Sequence, residues 1–454
     1  MPRLRELAAD DPALSELLGN AHARFQRLVH EADRKARPFY AERLGREMGC
    51  EEAIATIFAA VDERGDEAVV EYSERFDGSA LPPEQLRVSA NEISEAWSSV
   101  SEELRTALTT AVDHITSYQR RLLPQSFGVD LEEPLGVRWT ALDRVGAYVP
   151  GGAGGSLPLC STVLMNLVPA KVAGVPDLVL VTPPRRDGSL APERLAACHA
   201  AGVTEVYKVG GVQAIAALAC GTDAIPRVDK IVGPGNIFVT LAKRHAYGRV
   251  DIDMLAGPSE VLVIADDSAE PAWIAADLLS QAEHDTLAMA VLIAIGDEVA
   301  DAVQDELERQ LAALPEERRT VASASVSDMG LCIRCPDAAT AVELSNRYAP
   351  EHLEVLVADP APLVAELRHA GAIFVGPWSP EPIGDYVAGP SHTLPTGGSA
   401  RMWSGIGADT FMKRSSIINL GEADFRAMAP AALTLARAEG LEAHARSIAA
   451  RMGD

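Results

Sequence analysis

The tightest constraint on the fold lies between Val145 and Asp253, where short apolar runs alternate with helix-length segments. Residues 145–149, 178–182, 206–209 and 230–232 read as strands, and 161–174, 195–202, 213–220 and 237–244 as the helices that follow them. Strands joined through helices run parallel, because a tight hairpin cannot return the chain to the same end of a sheet. The stretch predicts one compact α/β domain, with ligands gathered at the carboxyl ends of its strands.

Three glycine-rich turns fall at those ends. They are Val149-Pro150-Gly151-Gly152-Ala153-Gly154-Gly155, Val209-Gly210-Gly211-Val212-Gln213 and Gly233-Pro234-Gly235-Asn236. None has the G-x-G-x-x-G spacing of the common dinucleotide fingerprint, and none is a P-loop. Three such turns, each between a strand and a helix start, predict a crevice where backbone N–H groups can meet phosphate oxygens.

After this domain the alternation resumes, with strands near 261–265, 290–295 and 353–357 and helices from about 271 and near 303–312, 338–347 and 361–368. The N-terminal stretch reads differently. Ile54, Ile57, Phe58 and Val61 follow helical spacing, Arg64-Gly65-Asp66 is a helix stop, and Ser89-Ala90-Asn91-Glu92 fits a capping box. Leu104, Leu108, Ala111, Val112, Ile115 and Tyr118 mark a long amphipathic helix. The expected fold is α/β: two Rossmann-like layered domains with parallel sheets, an N-terminal helical arm over 1–45 and a C-terminal helical tail over 406–454. The first domain is expected to be discontinuous, over 46–140 and 259–405, and the second to span 141–258.

Composition narrows the partners. The formal net charge of the 454 residues is −25, which disfavours a nucleic-acid groove or an anionic membrane surface and favours a small-molecule ligand. Six cysteines are too few for a secreted disulfide framework, no apolar run precedes Asp10, and no apolar stretch approaches membrane-spanning length, so the expected location is cytoplasmic. Cys332-Ile333-Arg334-Cys335 is a CxxC without a second Cys pair or a nearby His pair. On the short strand predicted there the two side chains diverge, and the reading is structural. Cys160 lies in a small-residue, apolar stretch and reads as a packed thiol rather than a nucleophile.

Chemistry concentrates between Ala349 and Thr396. Ala349-Pro350-Glu351-His352-Leu353 sets a carboxylate beside an imidazole, and Ser379-Pro380-Glu381, Gly384-Asp385-Tyr386 and His392-Thr393-Leu394-Pro395-Thr396 follow in a Pro/Gly-rich segment. Imidazole suits proton transfer near neutrality, and so many polar groups are costly to retain for packing alone. These segments resemble the signatures of the histidinol dehydrogenase family, and the likeness runs from about Asp62 to the C-terminus.

The resemblance implies oxidation of L-histidinol by two NAD and water to L-histidine and two NADH, through a bound aldehyde. It implies His352 as general base and Glu351 as the residue that activates water in the second step. It implies zinc held by Gln281, His284, Asp385 and His444, and NAD contacts at Tyr148, Gln213 and Asn236. Substrate contacts carried over are Ser259, Gln281, His284, His352, Asp385, Glu439 and His444, with His392 near the pocket. Ser391 is a departure, since Asn commonly precedes this histidine in the family. Family dimers share their sites, so a homodimer is expected. Two other readings stand beside this one: a dehydrogenase of another small polar alcohol, such as a hydroxy-sulfonate, and an inactive binding protein on the same scaffold. Retention of all four implied zinc ligands argues against the latter.

Overall fold

The computed structural model describes residues 2–18, 21–79, 81–151, 157–203 and 205–453. Its strands are β1 (Arg5–Ala8), β2 (Leu135–Ala141), β3 (Arg144–Tyr148), β4 (Asp177–Thr182), β5 (Glu205–Lys208), β6 (Lys230–Val232), β7 (Asp251–Ile252), β8 (Glu260–Asp266), β9 (Met289–Ile295), β10 (Leu331–Cys335), β11 (His352–Leu356), β12 (Ala372–Val375) and β13 (Met412–Ile418). Two all-parallel sheets organise the chain. One has the order β5-β4-β3-β6-β7 and the other β1-β10-β9-β8-β11-β12.

The alternation between Val145 and Asp253 produces the five-stranded sheet. Val145, Ala147, Val179, Leu180, Val181, Val206, Ile231 and Val232 are all buried, as strands covered on both faces require. The strand order reverses at β3 and β6, which places a crevice at their carboxyl ends. Gly233, at the end of β6, has φ 110°, and any Cβ there would collide with the carbonyl oxygen of Tyr148 at the end of β3. Glycine lets the two strand ends meet.

The helices of residues 50–120 sit elsewhere than expected. Helices Cys50–Arg64 and Asp66–Asp77 pack on helices Gly211–Cys220 and Ile237–Ala246 of the five-stranded-sheet unit, where Ile54, Ile57, Phe58 and Val61 share one core with Ala214, Leu218 and Val239. Helices Ala90–Ser99 and Glu102–Arg120 pack on helices Cys160–Ala173 and Pro192–Ala201 of the same unit, and Leu108 and Ile115 share a core with Leu164 and Leu167. Their apolar stripes therefore complete the unit of residues 141–258, not that of 259–405. Helical spacing identifies a buried face but not the sheet that buries it. The capping box is present: Ser89 Oγ accepts from the Glu92 N–H, and the Glu92 carboxylate accepts from the Ser89 N–H at 2.8 Å.

Both ends of the chain are mainly helical, as expected, and each also carries a strand. Arg5–Ala8 forms an edge strand paired with β10, and Leu4 and Leu7 reach the cores on the two faces of that sheet, before helix Ala21–Leu44 begins. Met412–Ile418 pairs antiparallel with Leu135–Ala141, so a strand anchors the tail before helices Glu422–Ala438 and Glu442–Met452. The CxxC segment is strand β10, with Cys332 and Cys335 buried, free and in different cores. Among the described residues no helix is long and apolar enough to cross a membrane.

Candidate active site

The start of β11 places the Glu351-His352 pair. Helix Ala338–Tyr348 ends at Ala349, which takes the left-handed conformation (φ 55°) unusual for a residue with a Cβ, and the chain turns through Pro350 into the strand. His352 and Glu354 share one strand face, while Leu353 and Val355 pack with Leu262 and Ile264 on the other. The neighbouring strand fixes the pair through the backbone of its first residue. The Glu260 N–H donates to Glu351 Oε2 at 2.8 Å, and the Glu260 carbonyl lies 3.0 Å from His352 Nδ1. This site stands at the amino ends of β8 and β11, whereas the glycine turns lie at the carboxyl ends of the other sheet.

Around His352 the structure gathers acids. Its Nε2 is 3.4 Å from Asp385 Oδ1 and 3.9 Å from Glu381 Oε1, and its Nδ1 is 3.7 Å from Glu351 Oε2. Burial disfavours the imidazolium, but Glu351, Asp385 and Glu381 outweigh it and hold the His352 pKa up, at about 10. Burial pushes Glu351 up to about 8, against the opposing pull of His352. Burial, then Asp385, pushes Glu381 up to about 7. Asp385 is held below the usual carboxylate range despite burial, because the His352 imidazole faces it. It sits in a π-helical turn, Gly384–Ala388, a local widening frequent at functional sites.

His352, Glu381 and Asp385 offer ligand atoms within 4.8 Å of one another. Among the described residues Gln281 Oε1 and His352 Nε2 are buried without a hydrogen-bond partner, so each has a lone pair free for a cation or a substrate proton. Gln281 falls in the last turn of helix Pro271–Ala282. His284 lies just beyond it, exposed, its ring close enough to Asp385 and His352 to feel their charge. Ser259 immediately precedes β8, and His392 Nδ1 lies 3.0 Å from the Asp385 carbonyl. His444 and Glu439 are exposed on the C-terminal helices and have no hydrogen bond or ion pair with these groups among the described residues.

Two glutamates were not singled out by the sequence reading. Glu381 lies in the quoted Ser379-Pro380-Glu381 segment, where flanking prolines were the available signal. Glu354 interrupts an apolar strand, and its Oε1 accepts from the Glu381 N–H at 2.7 Å. A carboxylate inside a covered parallel strand was visible in the sequence as a break in the run.

At the other sheet, a cavity of about 510 Å³ is lined by residues including Tyr148, Pro150, Gly151, Gly211 and Asn236. The Tyr148 hydroxyl accepts from the Gly211 N–H at 3.4 Å, and burial pushes its pKa up to about 12. Asn236 caps helix Ile237–Ala246 through Oδ1, and Gly210 is obligatory because a Cβ would strike Pro183. Gln213 is wholly buried behind the wall, with Oε1 unpartnered. Residues 152–155 of the first glycine turn lie outside the described residues. On either side of it Arg194, buried and without a carboxylate partner among the described residues, bonds the carbonyls of Pro150, Leu157 and Pro158 and the Thr182 hydroxyl.

A cavity at the carboxyl ends of one parallel sheet and an acid–imidazole cluster on a second are the layout of a two-part ligand site in a layered α/β protein. Comparison with known proteins makes this specific. The family model described as histidinol dehydrogenase matches residues 42–452. A histidinol dehydrogenase of Synechococcus sp. is 54% identical over 404 residues, covering 88% of this chain and 92% of that protein. One from Moorella thermoacetica is 51% identical over 417 residues, covering 91% and 96%. The crystal structure of histidinol dehydrogenase from Elizabethkingia anophelis superposes with a TM-score of 0.88 at 32% identity, covering 100% of this chain and 99% of that one. The chain belongs to the histidinol dehydrogenase family and is an oxidoreductase of histidine biosynthesis.

Proposed function

We propose that the protein converts L-histidinol to L-histidine in two successive two-electron oxidations, with water and two NAD, through an aldehyde that stays bound. The observation that carries this reading is the joint hold of the Glu260 backbone on Glu351 and His352, beside Asp385. His352 takes the alcohol proton as hydride leaves the carbinol carbon for the nicotinamide. Glu351, with its carboxyl poised near neutrality by burial, takes a proton from the water that adds to the aldehyde. A second hydride transfer then yields the carboxylate.

The unpartnered Gln281 Oε1 and the neighbouring Asp385 fit a borderline divalent metal, with His284 and, from a second copy of the chain, His444 as further donors. Zinc bound there would supply Lewis-acid charge that orients the amino-alcohol and offsets the acid field on His352. The cavity beside Tyr148, Gly211 and Asn236 fits NAD: the glycines would admit close backbone approach, and the start of helix Gly211–Cys220 would offer N–H groups to its phosphates. Ser259 and Glu439 complete the substrate contacts, in a cytoplasmic homodimer.

The experiment is stoichiometric. Purified protein given limiting L-histidinol forms two NADH per alcohol, and chelation of the metal abolishes this. One NADH per alcohol, or none with the metal present, overturns the reading.

A further inference from the structure

The cavity at the carboxyl ends of β3 and β6 has an acidic wall contributed from far away in the sequence. Asp77 is the last residue of helix Asp66–Asp77, which Gly78 terminates in the left-handed conformation (φ 68°). That helix packs on helix Gly211–Cys220, and its end brings Asp77 into the cavity lining with Tyr148, Gly211, Asn236 and Arg186. Gln213 Nε2 donates to Asp77 Oδ2 at 2.9 Å. Among the described residues no hydrogen bond reaches Oδ1 and no cation pairs with the carboxylate. Burial pushes its pKa up to about 6, so it is mainly ionised at neutral pH.

A partly desolvated carboxylate is an unfavourable neighbour for a pyrophosphate and a favourable one for a hydroxyl donor. Phosphates are better placed toward Arg186 and the backbone N–H groups of the glycine turns, which leaves the ribose hydroxyls as the donors available to Asp77. Gln213, implied as a cofactor residue, is itself buried, and reaches the wall through its bond to this carboxylate.

We propose that Asp77 selects the dinucleotide by its ribose, accepting a hydroxyl hydrogen bond through Oδ1 and repelling a 2′-phosphate, with Gln213 as the positioning residue that aims it. The inference rests on the reading that this cavity takes NAD. It explains why a chain already rich in negative charge keeps an uncompensated acid in a site for an anionic cofactor.

The test is calorimetric titration of NAD and of NADP into the metal-loaded wild type, Asp77→Asn and Asp77→Ser, without histidinol. Wild type binds NAD at least about a hundredfold tighter than NADP, and both variants bring that ratio down by about tenfold or more. Asparagine keeps the volume and can still accept from Gln213, so it decides the matter if the serine variant folds poorly. A wild-type ratio in the folded Asp77→Asn protein, even with both affinities reduced, overturns the role of Asp77 and leaves the cavity assignment standing. Wild type that binds neither nucleotide overturns the cavity assignment itself. A kinetic counterpart is a rise in KM for NAD in Asp77→Asn that exceeds any change in the KM for histidinol.

Discussion

His352 Nδ1 lies 3.0 Å from the carbonyl oxygen of Glu260. A carbonyl can only accept, so Nδ1 carries the hydrogen, and in the neutral ring the basic lone pair is on Nε2, the atom that approaches Asp385 and has no hydrogen-bond partner. A backbone bond, which no side-chain substitution at position 260 removes, fixes the tautomer needed for a base. His352→Ala is therefore expected to cut the first oxidation by about a thousandfold. Glu351→Ala is expected to spare histidinol binding and slow aldehyde conversion. Single-turnover traces of NADH formation separate the two, and wild-type rates in both variants would remove the chemistry from this pair.

Metal content tests the ligand set. Asp385→Ala and His284→Ala are expected to lose zinc and activity together while the fold survives, since the cores of the two sheets are apolar and lie away from both residues. Glu381→Gln separates the geometric cluster from the ligand set implied by family resemblance. Its side chain is within reach of Ser280 and His352, and the expected result is zinc retained with affinity weaker by about tenfold, the behaviour of a residue that supports a ligand. Mass spectrometry of metal per chain decides it, and stoichiometric zinc after loss of Asp385 would exclude that residue from the coordination shell.

Much of this site was legible in sequence because its residues lie in motifs. The Glu-His pair, Asp385 and the glycine turns needed no knowledge of packing. What could not be read was which surfaces meet. The helices of residues 50–120 show a clean apolar face, but nothing in a 3.6-residue period names the sheet that will cover it, so their association with β3 to β7 emerged only from tertiary structure. Arg5–Ala8 escaped notice for a related reason. An edge strand of four residues with one buried side chain is too short to show a period.

Arg194 presents a different kind of dependence. Its guanidinium bonds three carbonyls and one hydroxyl around the glycine turn, so Arg194→Met leaves several buried acceptors unpaired, at a cost of about 3 kcal/mol. Because Pro150 also lines the cavity proposed for NAD, KM for NAD is expected to rise while KM for histidinol holds. A melting curve and the two Michaelis constants check this. Equal increases in both constants would mean that the effect is general loosening of the fold.

The buried carboxylate of Asp77 predicts a pH signature in the cofactor-free protein. Its folded pKa is about 6, raised by burial from the ordinary 3.8, so the fold binds its proton more tightly than the unfolded chain does. The associated stabilisation is fully present below the ordinary value and is lost as pH rises through about 6. Asp77→Asn lacks that titration. The melting temperature of wild type minus that of Asp77→Asn should fall across this window and level off above it; a difference independent of pH would show that the carboxylate is not desolvated.

The final prediction is that each site is completed by a second copy of the chain. His444 and Glu439 are exposed in the single chain, on two helices whose apolar side chains are poorly covered: Leu435 is 63% exposed, and Met428 and Leu441 are also open. At the site itself Tyr386, next to Asp385, is 63% exposed, so the acid–imidazole cluster has an aromatic rim without a cover in the single chain. The pairing of β13 with β2 anchors the base of the tail, which leaves the two helices after it as the part that crosses to a partner. An exchanged element of this kind closes a symmetric dimer at low cost. The test is to dissociate and reassociate a His444→Ala chain with a His284→Ala chain. With ligands drawn from different chains, every heterodimer holds one doubly damaged and one intact site. Half of the dimers are heterodimers, so activity returns toward roughly a quarter of wild type. No recovery in a verified heterodimer would mean that each chain completes its own site.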